Sequence, residues 1–176
     1  MVMNTNKPRK LVDSKYNERR AECEEALKKI QAWKPEVKHL CDCSISDVYS
    51  LTDDVLQRRA KHVISENLRV KESVKMLRFN DLSTFGRLMN VSHNSLRDDY
   101  EVTGLELDTL AETAQNIKGC LGARMTGGGF GGCLVAVLPA GGVNALCAAI
   151  REHWDTAGIE HQLLLAVRPS AGAALL

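Results

Sequence analysis

The stretch between residues 122 and 132 constrains the fold more than any other part of the sequence, because six of the 13 glycines fall within it. Gly127, Gly129 and Gly132 match the spacing G-x-G-x-x-G, which in dinucleotide-binding folds requires a helix immediately afterwards. Here the apolar run 133–138 follows instead, and it has the composition of a buried strand. No Gly-Lys-Ser/Thr sequence closes the stretch, so a Walker-type phosphate loop is excluded. The glycines therefore predict a turn between two strands.

Helical periodicity dominates the chain before this stretch, and strand-like runs flank it. Apolar residues recur at helical spacing in four early segments: one capped by Asp13 or Ser14 and stopped by Pro35, one over Val55–Phe79, one capped by Asp81, and one opened by a capping box of Thr103 and Glu106. Ser46 and Asp53 are predicted as further N-caps. Strands are predicted over residues 1–6, 120–125, 133–138 and 161–167, with a helix over 143–154. This order predicts one α+β domain over residues 1–176, in which helices cover one face of a small antiparallel sheet.

Composition excludes several classes of function. The chain has 176 residues with 23 Lys+Arg and 22 Asp+Glu, a formal net charge of +1. An electrostatic nucleic-acid binder needs a surplus of basic residues, so no nucleic-acid partner is expected. No apolar run reaches the roughly 18 residues that span a bilayer, and the first residues lack the order of a signal peptide. We therefore expect no membrane association and a cytoplasmic location.

Several polar residues could act as catalytic or metal-binding groups. The pairs Asp53-Asp54 and Asp98-Asp99 could hold a metal or act as a general base, but they lie at predicted helix ends, where acids usually serve as caps or solvated charges. Arg124 could clamp a phosphate, although in a strand it more often points to a surface or to a local carboxylate. His93 and Arg97 share a helix face, and structural hydrogen bonding is the preferred interpretation.

One cysteine pair could suggest a metal site. Cys41 and Cys43 form a Cys-x-Cys motif with His39 nearby, but no second Cys or His pair follows at zinc spacing. A structural role is therefore preferred, and no metal ligand is predicted in this chain.

Four segments carry a resemblance to a known family. GARMTGGGFGGC at residues 122–133 resembles the third signature motif of the GHMP kinases, which phosphorylate small molecules. SKYNERRAECEE at 14–25 and SHNSLRDDYEV at 92–102 are similar to segments of the galactokinase branch, and Pro169–Ala173 resembles its C-terminal ending. The resemblance covers essentially the whole chain in order. It implies the C-terminal lobe of a GHMP kinase, a small antiparallel sheet with ferredoxin-like βαβ elements covered by several helices.

This resemblance also implies a function that the chain would share with a missing half. In galactokinases two lobes enclose the active site, and ATP phosphorylates D-galactose to galactose 1-phosphate. The ATP-cradling motif, the acidic Mg²⁺ ligand and the catalytic Asp would lie upstream of Met1, so the chain is expected to contain no catalytic residue and to be inactive alone. Residues 1–13 would then be a strand and loop at the junction with the N-terminal lobe. The cleft face, normally covered by that lobe, should favour self-association.

Two alternatives stay open on the sequence. One is a related sugar kinase, such as one acting on N-acetylgalactosamine. The other is a non-catalytic sugar-binding or regulatory module of the same fold.

The resemblance assigns two groups of site residues. Tyr16 matches the tyrosine that binds a sugar hydroxyl, with packing beside Cys23 as the alternative. The glycine-rich turn would close over the active site and support the phosphate loop of the other half, through Thr126, Gly127, Gly128, Gly129, Gly131 and Gly132. Gly128 replaces the Ala of many relatives. Gly104 replaces a Cys, and its predicted place just inside a helix should cost a little stability.

Overall fold

The computed structural model describes residues 1–6, 12–157 and 163–167, which form six α-helices and four β-strands. Their order along the chain is β1 (Val2–Asn4), α1 (Val12–Gln31), α2 (Ile45–Val48), α3 (Asp54–Arg78), α4 (Leu82–Asp98), α5 (Leu105–Asn116), β2 (Gly122–Thr126), β3 (Cys133–Val137), α6 (Val143–Ala157) and β4 (Leu163–Leu165). Two short 3₁₀ turns, Leu40–Asp42 and Ala140–Gly142, precede α2 and α6. Across this described part of the chain, none of the helices has both the length and the apolar character that crossing a membrane requires.

The four strands form one antiparallel sheet in the order β2-β3-β1-β4. Val2 in β1 lies opposite Val135 on one side and Leu165 on the other. A β-α-β-β-α-β chain with this strand order is the ferredoxin-like arrangement. Its first crossover holds five helices rather than one, which accounts for the helix-rich first two-thirds of the sequence. The predicted fold class is confirmed.

Side-chain caps set the beginnings of the long helices. Asp53 accepts a hydrogen bond from the Leu56 N–H (3.0 Å) at the start of α3, as predicted. Asp81 accepts one from the Thr84 N–H (2.9 Å) at the start of α4, also as predicted. Each carboxylate satisfies an N–H group that has no partner within its helix.

Two other predicted caps are wrong. Ser46 lies inside α2, whose N-cap is Ser44. The helix α1 begins at Val12, so Asp13 and Ser14 lie in its first turn rather than before it. Residues 7–11 of the predicted junction segment 1–13 and the ending 169–173 lie outside the described residues.

The start of α5 also differs from the prediction. Gly104, not Thr103, is the N-cap, and its φ of +103° is a conformation that glycine adopts without steric cost. Gly104 therefore stands before the helix and carries no helix-propensity penalty, because the chain needs a left-handed residue there.

Two hydrophobic cores support the site. The first fills the space between the sheet and the helices on its inner face, and includes Met3, Leu107, Leu110, Met125, Leu134 and Ile150. The second lies between α1, α3 and the 3₁₀–α2 segment, and includes Ala26, Ile30, Leu40, Val48, Leu56 and Ile64. The helix α4 packs against both α3 and β2, so it links the sheet to the helices around the second core.

The helix α4 also covers the free edge of β2. Asn90 Oδ1 accepts from the Ala123 N–H (2.8 Å), and His93 Nδ1 accepts from the Met125 N–H (3.1 Å). An uncovered strand edge presents unpaired N–H groups, so these side chains complete the sheet in place of another strand. His93 donates its other ring proton to Asp108 (3.2 Å), and burial lowers the pKa of His93. The structural interpretation of His93 is confirmed.

Candidate functional site

The glycine-rich stretch forms the turn between β2 and β3, as predicted. Its backbone takes positive φ at five of the residues from 127 to 132: Gly127 (+87°), Gly129 (+84°), Phe130 (+56°), Gly131 (+112°) and Gly132 (+90°). Side chains disfavour this region of φ, so the run of glycines is what allows the chain to bend here.

The outer half of the turn is accessible. Thr126, Gly127 and Gly128 are exposed, and a Cβ added to either glycine would meet no atom within 4 Å. Backbone N–H groups in such a turn can approach an anion or another loop closely. These residues form the part of the turn that a ligand or a neighbouring segment could reach.

The inner half of the turn is packed. Gly129, Gly131 and Gly132 are buried. Gly132 exchanges two hydrogen bonds with Thr5: its N–H donates to Thr5 Oγ1 (3.1 Å), and its carbonyl accepts from the Thr5 N–H (2.8 Å). The Phe130 N–H donates to the Val102 carbonyl (2.7 Å). The inner residues thus hold the turn in place and leave ligand contact to the outer ones.

Tyr16 lies on α1 with its side chain 56% exposed. Within the described part of the chain its hydroxyl has no hydrogen-bond partner. A cavity of about 320 Å³ lies beside it, lined also by Cys23, His39, Val63 and Tyr100. Tyr16 and Cys23 therefore share one surface, and the phenol has a polar tip that remains available to a ligand.

The predicted site residues are not brought into one cavity. Thr126 lines a different cavity of about 330 Å³, between α3, α4 and the sheet, together with Val70, Leu77 and Arg124. The two cavities share no lining residue. Tyr16 and Thr126 thus line two different cavities of the described structure.

The paired acids have structural partners. Asp53 caps α3, Asp54 pairs with Arg58 (3.1 Å), and Asp98 pairs with Arg97 (2.8 Å). These three residues confirm the preference for caps and solvated charges.

Asp99 departs from that preference because it is mostly buried. It accepts hydrogen bonds from Lys61 Nζ (2.8 Å) and Ser95 Oγ (2.9 Å). Arg124 pairs with a local carboxylate, Glu66 (2.8 Å), which is the interpretation that we preferred for it. Across the described ranges, no three His, Cys, Asp or Glu side chains cluster closely enough to hold a metal ion.

Sequence reasoning missed several buried polar groups, and two of them, Arg59 and His62, lie close to the α4–α5 connection. Arg59 is only 2% exposed and binds Glu22, Glu101 and the Asp99 carbonyl. The sequence signal for the burial of Arg59 was its position between Leu56 and Ala60, on the apolar face of α3.

The second missed group is His62, which stacks on Tyr100 with ring centres 4.4 Å apart. Burial lowers the pKa of His62 to about 4 and raises the pKa of Tyr100.

Comparison with known families decides where the fold belongs. The family described as GHMP kinases C terminal matches residues 66–156, just over half of the chain, from the middle of α3 to the end of α6. The chain belongs to the GHMP kinase family. The glycine-rich turn of this GHMP kinase chain lies inside the matched region, as the resemblance of residues 122–133 implied.

Relatives of this GHMP kinase chain are named galactokinase. A galactokinase of Staphylococcus saprophyticus is 52% identical over 149 residues, which are 82% of this chain and 38% of that protein. One from Lactiplantibacillus plantarum is 48% identical over 171 residues, 94% of this chain and 44% of that protein. The crystal structure of Lactococcus lactis galactokinase complexed with galactose is 47% identical, with a TM-score of 0.86, over 92% of this chain and 42% of that one. The chain spans less than half the length of these relatives.

Proposed function

We propose that this GHMP kinase chain is the C-terminal lobe of a galactokinase, which transfers the γ-phosphate of ATP to the anomeric hydroxyl of D-galactose. The likeness to the Lactococcus lactis enzyme, whose structure contains galactose, carries the proposal (47% identity, TM-score 0.86). The chain spans 42% of that enzyme, so the proposal places the other catalytic parts in a second, N-terminal lobe. On this view residues 1–176 are one C-terminal domain, and residues 1–13 lie at the junction between the lobes.

Tyr16 is proposed to hold the sugar. Its exposed hydroxyl can donate a hydrogen bond to a galactose oxygen or accept one from a galactose hydroxyl. A phenol cannot activate the sugar at neutral pH, so Tyr16 would orient galactose rather than remove its proton.

The accessible part of the glycine turn is proposed to support the phosphates of ATP. No side chain blocks access to the backbone N–H groups of Gly127 and Gly128, and the exposed Thr126 precedes them. Phosphoryl transfer depends mainly on such positioning and on neutralising charge. A Mg²⁺ ion would supply that neutralisation, and we propose that its ligands come from the second lobe.

A cytoplasmic location belongs to the same proposal. Its support is the set of six cysteines, all of them free. Unpaired thiols are typical of a reducing compartment.

A chimeric enzyme tests the proposed activity. This chain would replace the matching segment of the Lactococcus lactis galactokinase, and formation of galactose 1-phosphate from ATP and galactose would be measured. We expect the chimera to be active and the isolated 176-residue chain to give no product. Turnover by the isolated chain would refute its role as a lobe. A folded chimera that prefers N-acetylgalactosamine, or that binds galactose without turnover, would favour one of the two alternatives.

The role of Tyr16 is tested in the same chimera by Tyr16→Phe. Loss of one hydrogen bond to the sugar should raise the KM for galactose about tenfold, with the melting temperature unchanged because the side chain is largely exposed. Tyr49→Phe is the matched control, since Tyr49 is 75% exposed and lies outside the Tyr16 cavity. An unchanged KM in Tyr16→Phe would show that the Tyr16 hydroxyl makes no hydrogen bond to galactose.

A further inference from the structure

The connection between α4 and α5 receives an unusual set of hydrogen bonds. We call residues 98–102 the connector. Four consecutive carbonyls of the connector each accept from an arginine: Asp98 from Arg58 Nη1 (3.3 Å), Asp99 from Arg59 Nη1 (2.6 Å), Tyr100 from Arg19 Nε (2.7 Å) and Glu101 from Arg19 Nη2 (3.4 Å). The arginines come from two helices, α1 and α3. The backbone of the connector is therefore held from both sides by charge-assisted hydrogen bonds, which are stronger than neutral ones.

A carboxylate within the connector completes this set. Glu101 Oε1 accepts from Arg58 (2.8 Å), and its Oε2 accepts from Arg59 Nη2. These hydrogen bonds from Arg58 and Arg59 lower the pKa of Glu101 to about 2. Arg59 is almost fully buried, and a buried guanidinium is tolerated only when its donors are bonded. Glu101 itself takes a φ of +54°, a conformation that is uncommon for a residue with a side chain.

The last residue of the connector, Val102, is hydrogen-bonded to the glycine-rich turn. The Val102 carbonyl accepts from the Phe130 N–H (2.7 Å). A Cβ on Gly129 would lie 2.1 Å from the same oxygen, so only glycine permits this approach. The Val102 carbonyl thus fixes the part of the turn that contains Gly129 and Phe130.

The helix that carries Tyr16 is attached to the same connector. Arg19 follows Tyr16 by one helical turn, is buried, and reaches the Tyr100 carbonyl. The Tyr100 hydroxyl also contacts Cys23 Sγ on α1 (3.7 Å). Movement of the connector would therefore displace both the Tyr16 helix and the glycine turn.

We propose that the connector positions the Tyr16 helix and the glycine turn relative to each other, and that Arg59 and Glu101 are its positioning residues. Tyr16 and Thr126 line different cavities, so the helix and the turn that carry them need such a link if they are to act on one reaction. The catalytic meaning of this link rests on the proposed function, whereas the mechanical link itself does not.

Hydrogen exchange in the 176-residue chain tests the link to the turn. Glu101→Gln removes the charge and keeps the shape of the side chain. We expect the protection of the Phe130 amide to fall about tenfold more than that of the Ala136 amide, which reports opening of the sheet. Glu24→Gln is the control, since it breaks an exposed ion pair with Arg20 on the same protein and should change neither amide. Equal losses at both amides, or no loss at Phe130, would refute the proposal.

A reciprocal measurement tests the link to α1. Gly129→Ala pushes the turn away from Val102, so the NMR resonance of the Arg19 Nε–H should shift, whereas Gly128→Ala should leave it in place. No shift in Gly129→Ala would show that the turn and α1 are independent.

If Glu101→Gln lowers the folded population, Arg58→Gln, which removes the more exposed of the two arginines that bind Glu101, provides the same exchange comparison. Neither measurement uses ATP or galactose, so failure of the proposed function would leave both results standing.

Discussion

Gly129 makes possible the closest approach between the turn and the rest of the molecule. Its φ is +84°, and an added Cβ would lie 2.1 Å from the Val102 carbonyl oxygen. We expect Gly129→Ala to lower the free energy of unfolding by about 2 kcal/mol or more, because backbone strain and a steric clash add. Urea denaturation measures this change.

Gly128→Ala is the matched control for that substitution. A Cβ at Gly128 would meet no atom within 4 Å, so its effect should stay within about 0.5 kcal/mol. A Gly129→Ala protein as stable as Gly128→Ala would contradict the packed geometry of the inner turn.

His62 makes stability depend on pH. Burial lowers its pKa to about 4 in the folded chain, against about 6.5 when unfolded. Between these pH values the unfolded chain binds the extra proton, so acid favours unfolding. The stabilisation is complete above about pH 6.5 and is lost as the pH falls towards 4, by roughly 3 kcal/mol in all.

Urea denaturation at pH 7 and pH 5 measures this dependence. His62→Gln should reduce the difference between the two pH values without abolishing it, because burial lowers the pKa of His93 in the same direction. An unchanged difference in His62→Gln would mean that His62 is hydrated in the folded chain.

At the scale of elements, the packing of α4 depends on a close approach of its backbone to β2. Replacing a glycine inside a helix by alanine ordinarily stabilises the helix by about 1 kcal/mol. At Gly86 we expect the opposite, a loss of about 2 kcal/mol or more, because the Cβ would lie 2.0 Å from the Leu121 carbonyl oxygen. Thermal and urea unfolding of Gly86→Ala show whether the free energy of unfolding falls or rises.

Val91→Ala on the same helix is the control. Val91 is 50% exposed, so its truncation should change stability by less than about 0.5 kcal/mol. If Gly86→Ala were the more stable of the two variants, α4 would not pack against the edge of β2 as closely as described.

Most elements could be predicted from local patterns, whereas the starts of α1, α2 and α5 could not. The Asp53 and Asp81 caps and the β2–β3 turn follow from residues next to one another in sequence. The start of α5 was mispredicted because Thr103 and Glu106 satisfy the capping-box pattern, while the positive φ at Gly104 depends on how the connector enters the helix. The conformational propensities of the neighbouring residues do not specify the path by which the connector enters α5.

At the scale of the whole molecule, an apolar surface on α3 is exposed. Val70, Val74, Leu77 and Phe79 are 44–78% exposed along the C-terminal half of that helix. Contiguous apolar surface of this kind favours association. We expect the isolated chain to self-associate at high concentration, and Leu77→Lys to reduce the mass measured by light scattering. A monomer at every concentration would contradict this expectation.

The sequence by itself determined the fold class, the turn and the family, because helical spacing, strand-like runs and the glycine motif are local signals. Asp53, Asp54 and Asp98 could be assigned structural roles for the same reason. Only the tertiary structure decided that Arg59 is buried, that α4 closes the sheet edge, and that the inner glycines pack while the outer ones stay open. These features depend on contacts between residues about 30 to 130 positions apart, whose partners no local pattern specifies.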